Sequence, residues 1–323
     1  MYKITTIPGD GIGKEVLSST KTILDTINIQ FDYDDQKAGK ECYKKQGTNL
    51  PLETIKSCEK TDATLFGAVT SIKEQSSAIV SLRKKLNLHM NLRPIKSPYN
   101  KDIDFIIIRE NTEGLYSQLE KITDDGAIAT RKITKKASEN IINDAFKYAI
   151  TTNRKKVTAV HKANVLKITD GLFKDIFYKE SLQYPEIIAN DFYVDATAMY
   201  LITQPQEFDI IVTTNLFGDI LSDEAGGLIG SLGLIPSANV GYENMLFEPV
   251  HGSAPDISGK QIANPTAMIL SASLMLEFLD ENKEAENIKQ AVYETISENK
   301  HLTPDLKGTA TTNEMTNAII KKL

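Results

Sequence analysis

Short apolar runs alternate with longer amphipathic stretches along the whole chain, and this alternation restricts the fold more than any single motif. Ile4–Ile7, Ala63–Phe66, Phe105–Ile108, Val157–Val160 and Ile210–Thr213 are short runs in which threonine is the only polar residue. That is the pattern of strands covered on both faces. Between them, Lys14–Asn28, Ser138–Thr151, Asp170–Tyr178 and Ala267–Leu279 carry the spacing of helices that bury one side. Strands that take turns with helices predict an α/β chain with a largely parallel core. The exception is Leu119–Thr134, where two alternating segments flank Asp124-Asp125-Gly126. Asp-Gly between such segments predicts a hairpin. An arm with so little core either packs on a partner chain or lies on the surface.

The chain has 323 residues, enough for two modest lobes. A net charge of −6 argues against a broad nucleic-acid or anionic-membrane surface. An acidic chain that takes an anionic ligand needs a local cluster of Arg and Lys, so clustered arginines carry weight. The two cysteines, Cys42 and Cys58, form no CxxC pair, which argues against a thiolate metal site and fits a reducing compartment. The opening MYKITTIPGDGIG has neither the apolar core of a signal peptide nor an Arg-rich targeting helix. No apolar run approaches the roughly 18 residues of a membrane span. A cytoplasmic protein is expected.

Five stretches combine residue types that chemistry needs. IPGDGIGKEV (7–16) follows a strand and opens a helix, but its glycines read GxGxG rather than the dinucleotide GxGxxG. It is either a turn that requires positive φ or a ligand loop. Arg83, Arg93 and Arg109 fall near predicted element ends within 27 residues, and guanidinium forks pair bidentately with carboxylates. Asp219 and Asp223, in NLFGDILSDEAGG, stand four apart on one helix face. Two bare carboxylates so close repel unless a cation lies between them, and oxygen-only ligands suit Mg²⁺ or Mn²⁺. The alternative for either one is an aspartate that complements a helix dipole. Asp195, ending another strand in YVDATAMY, could complete the site. His161, Lys162 and Asn164 follow the run Val157–Val160, where a lysine near a cation and a carboxylate can move protons. Last, FEPVHGSAPDISGKQIANP (247–265) is a polar, Gly/Pro-punctuated loop. Its small residues Gly252, Ser253 and Ala254 would admit a phosphate to backbone N–H groups, and Asp256 could accept from a ribose diol.

Together these strings resemble the β-decarboxylating dehydrogenases: isocitrate, homoisocitrate, 3-isopropylmalate and tartrate dehydrogenases. The resemblance covers essentially the whole chain through IPGDGIGKEV, LRKKLNLHMNLRP, RENTEGLY, VHKANVLKITDGLF, VTTNLFGDILSDEAGGLIGSLGLIPSANVG and EPVHGSAPDISGKQIANPTA, in the family's order. It implies two interleaved lobes around a mixed, mostly parallel sheet, not a Rossmann fold, with residues 1–88 and 230–323 in the large lobe. Residues 89–229 would form the small lobe, with a hairpin clasp at about 117–135 joining a homodimer; a tetramer is the alternative.

The resemblance also assigns roles. Arg83, Arg93 and Arg109 would hold substrate carboxylates, with Ser77, Tyr116, Lys162 and Asn164 also touching substrate. Tyr116, Lys162 and Asp195 would be catalytic, Tyr116 protonating the enol and Lys162 acting as general base. Asp219 and Asp223 would bind Mg²⁺ or Mn²⁺ with Asp195, which comes, like Lys162, from the neighbouring subunit. NAD would be held by His251, Gly252, Ser253, Ala254, Pro255, Asp256, Ile257 and Asn264, Asp256 and Ile257 disfavouring NADP. Ser76–Arg83 should meet the variable arm of the substrate. Its paired serines followed by Ile79-Val80, and the tail TPDLKGTATT, look most like homoisocitrate enzymes of lysine biosynthesis, with isocitrate and 3-isopropylmalate as alternatives. Two rivals of another kind are a non-catalytic regulatory subunit of isocitrate dehydrogenase and a plain dinucleotide-binding module.

Overall fold

The structure, a computed structural model, describes residues 1–73 and 75–323. It divides into two compact units, Met1–Leu88 with Ile229–Leu323, and His89–Leu228. The first unit opens with strands β1 (Tyr2–Gly9), β2 (Phe31–Asp35) and β3 (Ala63–Ala68). The second carries β4 (Met90–Lys96), β5 (Asp104–Glu110), the pair β6 (Glu120–Thr123) and β7 (Gly126–Ala129), then β8 (Lys156–His161), β9 (Ile188–Tyr193) and β10 (Ile210–Thr213). The chain returns to the first unit with β11 (Pro236–Val240) and β12 (Met245–Pro249). All five apolar runs are strands, and all four amphipathic stretches contain helices.

In the first unit the strand order is β2-β1-β3-β12-β11, parallel except for the β11–β12 pair. Ile7, Phe66, Leu82 and Leu246 meet in one buried cluster of this unit. The helix Thr266–Phe278 is buried nearly all round, as its apolar sequence requires. It packs against β11, β12 and the helices Gly13–Leu24 and Asn282–Ser297. The PGDGIG turn closes β1 with Gly9 at φ +71° and Gly11 at φ +56°. A Cβ on Gly11 would stand 1.9 Å from the carbonyl oxygen of Ser253, and one on Gly9 as close to that of Ala68. These glycines therefore serve backbone conformation and close approach. Ile12 donates its N–H to Ser253 O at 2.9 Å, Thr70 and Ser253 hydroxyls meet at 2.8 Å, and Glu15 accepts from Gly259 N at 2.5 Å. PGDGIG thus braces the late HGSAPD loop.

In the second unit β5, β10, β8 and β9 run parallel in that order, with β4 antiparallel on β5. β5, β8 and β10 are almost wholly buried, whereas β9 has no fully buried residue. Helices Lys135–Thr151, Thr169–Ser181, Val194–Thr203 and Asn215–Ile229 accompany them. The hairpin lies where the alternation placed it, but its turn is one residue earlier. Thr123 pairs with Gly126, so the loop is Asp124-Asp125 and Gly126 begins the return strand. Neither aspartate has positive φ, so the mirror-image turn that Asp-Gly favours is not used. The arm is largely exposed, with Ile122 90% accessible.

Candidate active site

The chemistry-bearing residues of the second unit gather at the carboxyl ends of its parallel strands, the usual place for ligands in such sheets. Arg109 lies at the end of β5, Asn215 just beyond β10, Lys162 just beyond β8 and Asp195 just beyond β9. β4 adds Asn91 and Arg93. Asn91 pairs with Arg109 across the strands, and Arg93 pairs with Ile107, so Arg93 and Arg109 are diagonal neighbours on one face.

Both guanidinium groups reach Asp219, on the helix Asn215–Ile229. Arg109 Nη1 makes a close ion pair with Asp219 Oδ1, and Arg93 Nη1 lies 3.3 Å from the same oxygen. Asn215 accepts from Arg109 Nη2 at 2.7 Å, Asn91 accepts from Arg93 Nε at 2.6 Å, and Ser222 accepts from Arg93 Nη1. The Tyr116 hydroxyl donates to Asp219 Oδ2, and its ring lies 4.9 Å beneath the Arg109 guanidinium. Burial first, and the Asp219 carboxylate second, push the Tyr116 hydroxyl above its ordinary pKa. Near neutrality it is therefore a proton donor.

The rest of RENTEGLY shapes the loop that delivers Tyr116. Glu110 accepts from the N–H groups of Thr112 and Glu113 at 2.6 and 3.1 Å, and Glu113 accepts from Thr134 N at 2.8 Å. Gly114, at φ +74°, then turns the chain into Leu115–Ser117. Asn215 and Ser222 lie in the NLFGDILSDEAGG stretch, yet their links to Arg109 and Arg93 span 106 and 129 positions, which no local pattern reveals.

Asp223 stands one helical turn beyond Asp219. Burial first, and then the negative charge of Asp219, hold its carboxyl above the ordinary range. Arg93 and Arg109 already balance these two carboxylates, so an added ligand with two carboxylates needs further positive charge. Oxygen-only donors under like-charge repulsion fit a divalent Mg²⁺ or Mn²⁺. Among the described residues no three His, Cys, Asp or Glu side chains converge as a metal cage. Asp195 is occupied within its own chain, its Oδ1 2.5 Å from Lys162 Nζ. That lysine holds the exposed Asp195 carboxyl below its usual range. Asn164 is exposed on the turn that follows.

Of the three arginines that the sequence grouped, Arg93 and Arg109 belong to the second unit and meet on Asp219. Arg83, in the first unit, is buried and ion-paired at 2.8 Å with Glu248 of β12, which also accepts from Asn239 at 2.7 Å. Ser77 precedes the helix Ala78–Lys85 without making a capping bond. Val80 is half-buried, while Ile79 packs against the apolar cluster of the first unit.

In the late loop, Gly252, Pro255 and Asp256 are exposed, Ala254 and Ile257 partly so, and Ser253 is buried by its bracing contacts. Ala254 holds φ +36°. His251 Nδ1 faces the Gly252 carbonyl at 3.0 Å, while its Nε2 is enclosed with no hydrogen-bond partner. Burial lowers the His251 pKa, leaving a neutral ring at pH 7 whose Nε2 lone pair wants a donor. The amino and hydroxyl groups of a nucleotide would supply one, so the loop fits a dinucleotide. Asn264 is instead spent on structure: its Oδ1 accepts from Thr266 N and its Nδ2 donates to Asp305, both at 3.0 Å.

The family model for isocitrate/isopropylmalate dehydrogenases matches residues 3–319. The chain belongs to that family. A 3-isopropylmalate dehydrogenase of Methanothermobacter thermautotrophicus is 54% identical over 99% of this chain and 98% of its own length. A homoisocitrate dehydrogenase of Methanocaldococcus jannaschii is 49% identical over 100% and 99%. The crystal structure of isocitrate dehydrogenase from Methylococcus capsulatus superposes with a TM-score of 0.96 at 45% identity, covering 100% of this chain and 99% of that one. The fold is thus isocitrate dehydrogenase-like, and this family member is a decarboxylating dehydrogenase. No helix among the described residues is long and apolar enough to cross a membrane.

Proposed function

We propose that the chain catalyses the NAD-dependent, Mg²⁺- or Mn²⁺-assisted oxidative decarboxylation of a 2-hydroxy-3-carboxy acid to a 2-oxo acid and CO₂. The observation that carries this reading is the union of Arg93, Arg109 and Tyr116 on the Asp219 carboxylate. Two buried guanidinium groups, a protonated phenol and a second carboxylate at Asp223 make a site for an anion, a cation and a proton delivery. Asp219 and Asp223, with Asp195 of a second copy, would hold the divalent ion, which would supply Lewis-acid stabilisation of negative charge on oxygen, and NAD in the late loop would supply the hydride acceptor. Lys162 takes the proton from the substrate hydroxyl oxygen as hydride leaves the carbon that carries it. Arg93 and Arg109, with Arg83, hold the substrate's carboxylates. After CO₂ departs with its bonding pair left on carbon, Tyr116 returns a proton to that carbon. A regulatory, non-catalytic chain would be expected to lack part of this set, yet Tyr116, Lys162, Asp195, Asp219 and Asp223 are all present.

A homodimer in the cytoplasm is part of the proposal. Large apolar side chains stand open near Lys162 and Asp195 in sequence, with Val165 65%, Ile168 87%, Met199 52% and Ile202 61% exposed. Such exposure supports a covering partner.

Asp256 faces solvent beside the small residues of the loop, where a carboxylate would repel a 2′-phosphate. Steady-state rates should favour NAD⁺ over NADP⁺ by about tenfold or more in kcat/KM, a difference of roughly 1.4 kcal/mol. Equal or better use of NADP⁺ refutes the assignment.

For the substrate, 3-isopropylmalate now leads. The family's malate core is common to every candidate, so only the arm discriminates. The apolar Ile79 and Val80 suit a bare isopropyl group, and the more similar of the two relatives compared is a 3-isopropylmalate dehydrogenase. Homoisocitrate, which the sequence favoured, remains the second reading. Ser76 and Ser77 are polar positions, one exposed and one half-buried, that a carboxylate arm could use. One methylene discriminates by only about 1–3 kcal/mol, so side activities are expected. Initial rates with 3-isopropylmalate, homoisocitrate and isocitrate under one condition decide it. A kcat/KM for homoisocitrate above that for 3-isopropylmalate reverses the order.

A further inference from the structure

Beyond β8 the backbone amides of Lys162 and Ala163 are each held by a buried side chain outside the roles assigned above. Ala163 N–H meets His161 Nδ1 at 3.2 Å, and His161 Nε2 lies 3.0 Å from Asp191. Lys162 N–H donates to Asp170 Oδ2 at 2.7 Å. Asp170 is fully buried, in the first turn of the helix Thr169–Ser181. Its other oxygen forms a close ion pair with Arg131.

Arg131 extends the link in two directions. It donates to Thr214 Oγ1 at 3.0 Å and lies 5.2 Å above the Phe217 ring, at the head of the helix that carries Asp219. Its chain neighbour Lys132 offers its carbonyl to Gly114 N at 3.0 Å, two residues before Tyr116. One ion pair, its carboxylate fully buried, therefore ties the peptide of Lys162 to the segments that present Asp219 and Tyr116 of the same chain. Stability alone does not explain such a pair, since apolar residues of similar volume are often as good or better. Precision of placement does, because an error near 1 Å at a reacting group costs on the order of 10²-fold in rate.

We propose that Asp170, neutralised by Arg131, is the positioning residue for Lys162, fixing the peptide from which its amine reaches the substrate hydroxyl. This rests on Lys162 being the base. The double variant Asp170→Leu/Arg131→Met removes the acceptor and both charges at similar volume; Asp170→Asn/Arg131→Met gives back an amide oxygen. In the first, kcat should fall by about tenfold or more at nearly unchanged KM for the hydroxy acid, with the Lys162 amide exchanging at least about tenfold faster. The second should recover most of the lost turnover. Wild-type kcat in the folded leucine variant, unchanged exchange at Lys162, or no recovery with asparagine overturns the proposal. Should the leucine variant fail to fold, Asp170→Glu carries the test, since it keeps the charge pair and shifts the acceptor by one methylene. Its kcat must fall at unchanged Tm, and wild-type kcat there is equally fatal. Lys162→Ala separates the two readings. Retained turnover in that variant sinks the base assignment, while amide exchange at residue 162 still decides whether Asp170 holds the peptide.

Discussion

Asp219→Asn should leave a folded protein whose turnover is lower by about 10²–10³-fold, the usual scale for deleting one preorganised charge at a reacting centre. The substitution is nearly isosteric, so packing around the helix Asn215–Ile229 is kept. What changes is charge. Arg93 and Arg109 lose their shared carboxylate, and the Tyr116 hydroxyl loses a charged acceptor for an amide. A bound cation would lose one of its two donors from this chain, so the variant should need more Mn²⁺ for half-maximal rate and recover partly when Mn²⁺ is raised. The buried guanidinium groups left with less countercharge should also lower Tm. Turnover is the larger effect, and the metal titration is what separates a ligand from a mere salt-bridge partner. Full activity of Asp219→Asn in the presence of a chelator would end the metal reading.

How much of this was legible depended on distance along the chain. β5, β8 and β10 are covered on both faces, so their apolar runs announced them. β2 and β9 lie at sheet edges, have no fully buried residue and carry no such signature. Asp-Gly marked the hairpin, yet the residues that turn are Asp124 and Asp125, because register follows cross-strand pairing as well as the turn dipeptide.

The site divided in the same way. Asp219 and Asp223 were readable because four residues on a helix is a local relation. That Asp219 belongs to Tyr116, 103 positions away, and Arg83 to Glu248, 165 away, is set only by folding. The PGDGIG string left a turn and a ligand loop open, and its glycines let the backbone approach Ser253 and Ala68, as the turn reading requires. Asp170 drew no attention as chemistry. A carboxylate whose partners are a backbone amide and a distant arginine has no pattern in sequence.

Lys162→Ala and Asp219→Asn, each nearly dead alone, should restore activity when equal amounts of the two chains are unfolded together and reassembled. Within one chain the reactive groups form two sets. Asp219 holds Arg93, Arg109 and Tyr116, while Lys162 pairs with Asp195 at 2.5 Å. If each active site takes the first set from one copy and the second from its partner, a mixed dimer has one intact site and one doubly damaged site. Random pairing makes half the dimers mixed, so about a quarter of wild-type activity is expected from a two-fold assembly with shared sites. Lys162→Ala mixed with Asp195→Asn is the control. Those two residues come from one copy together, so every site in that mixture lacks one of them and activity should stay at the level of the single variants. Verified mixed dimers of Lys162→Ala and Asp219→Asn that remain inactive would place both residues in one chain's site and remove the shared-site model. Rescue in the control mixture would instead show that the ion pair between Lys162 and Asp195 is not how they meet at the site.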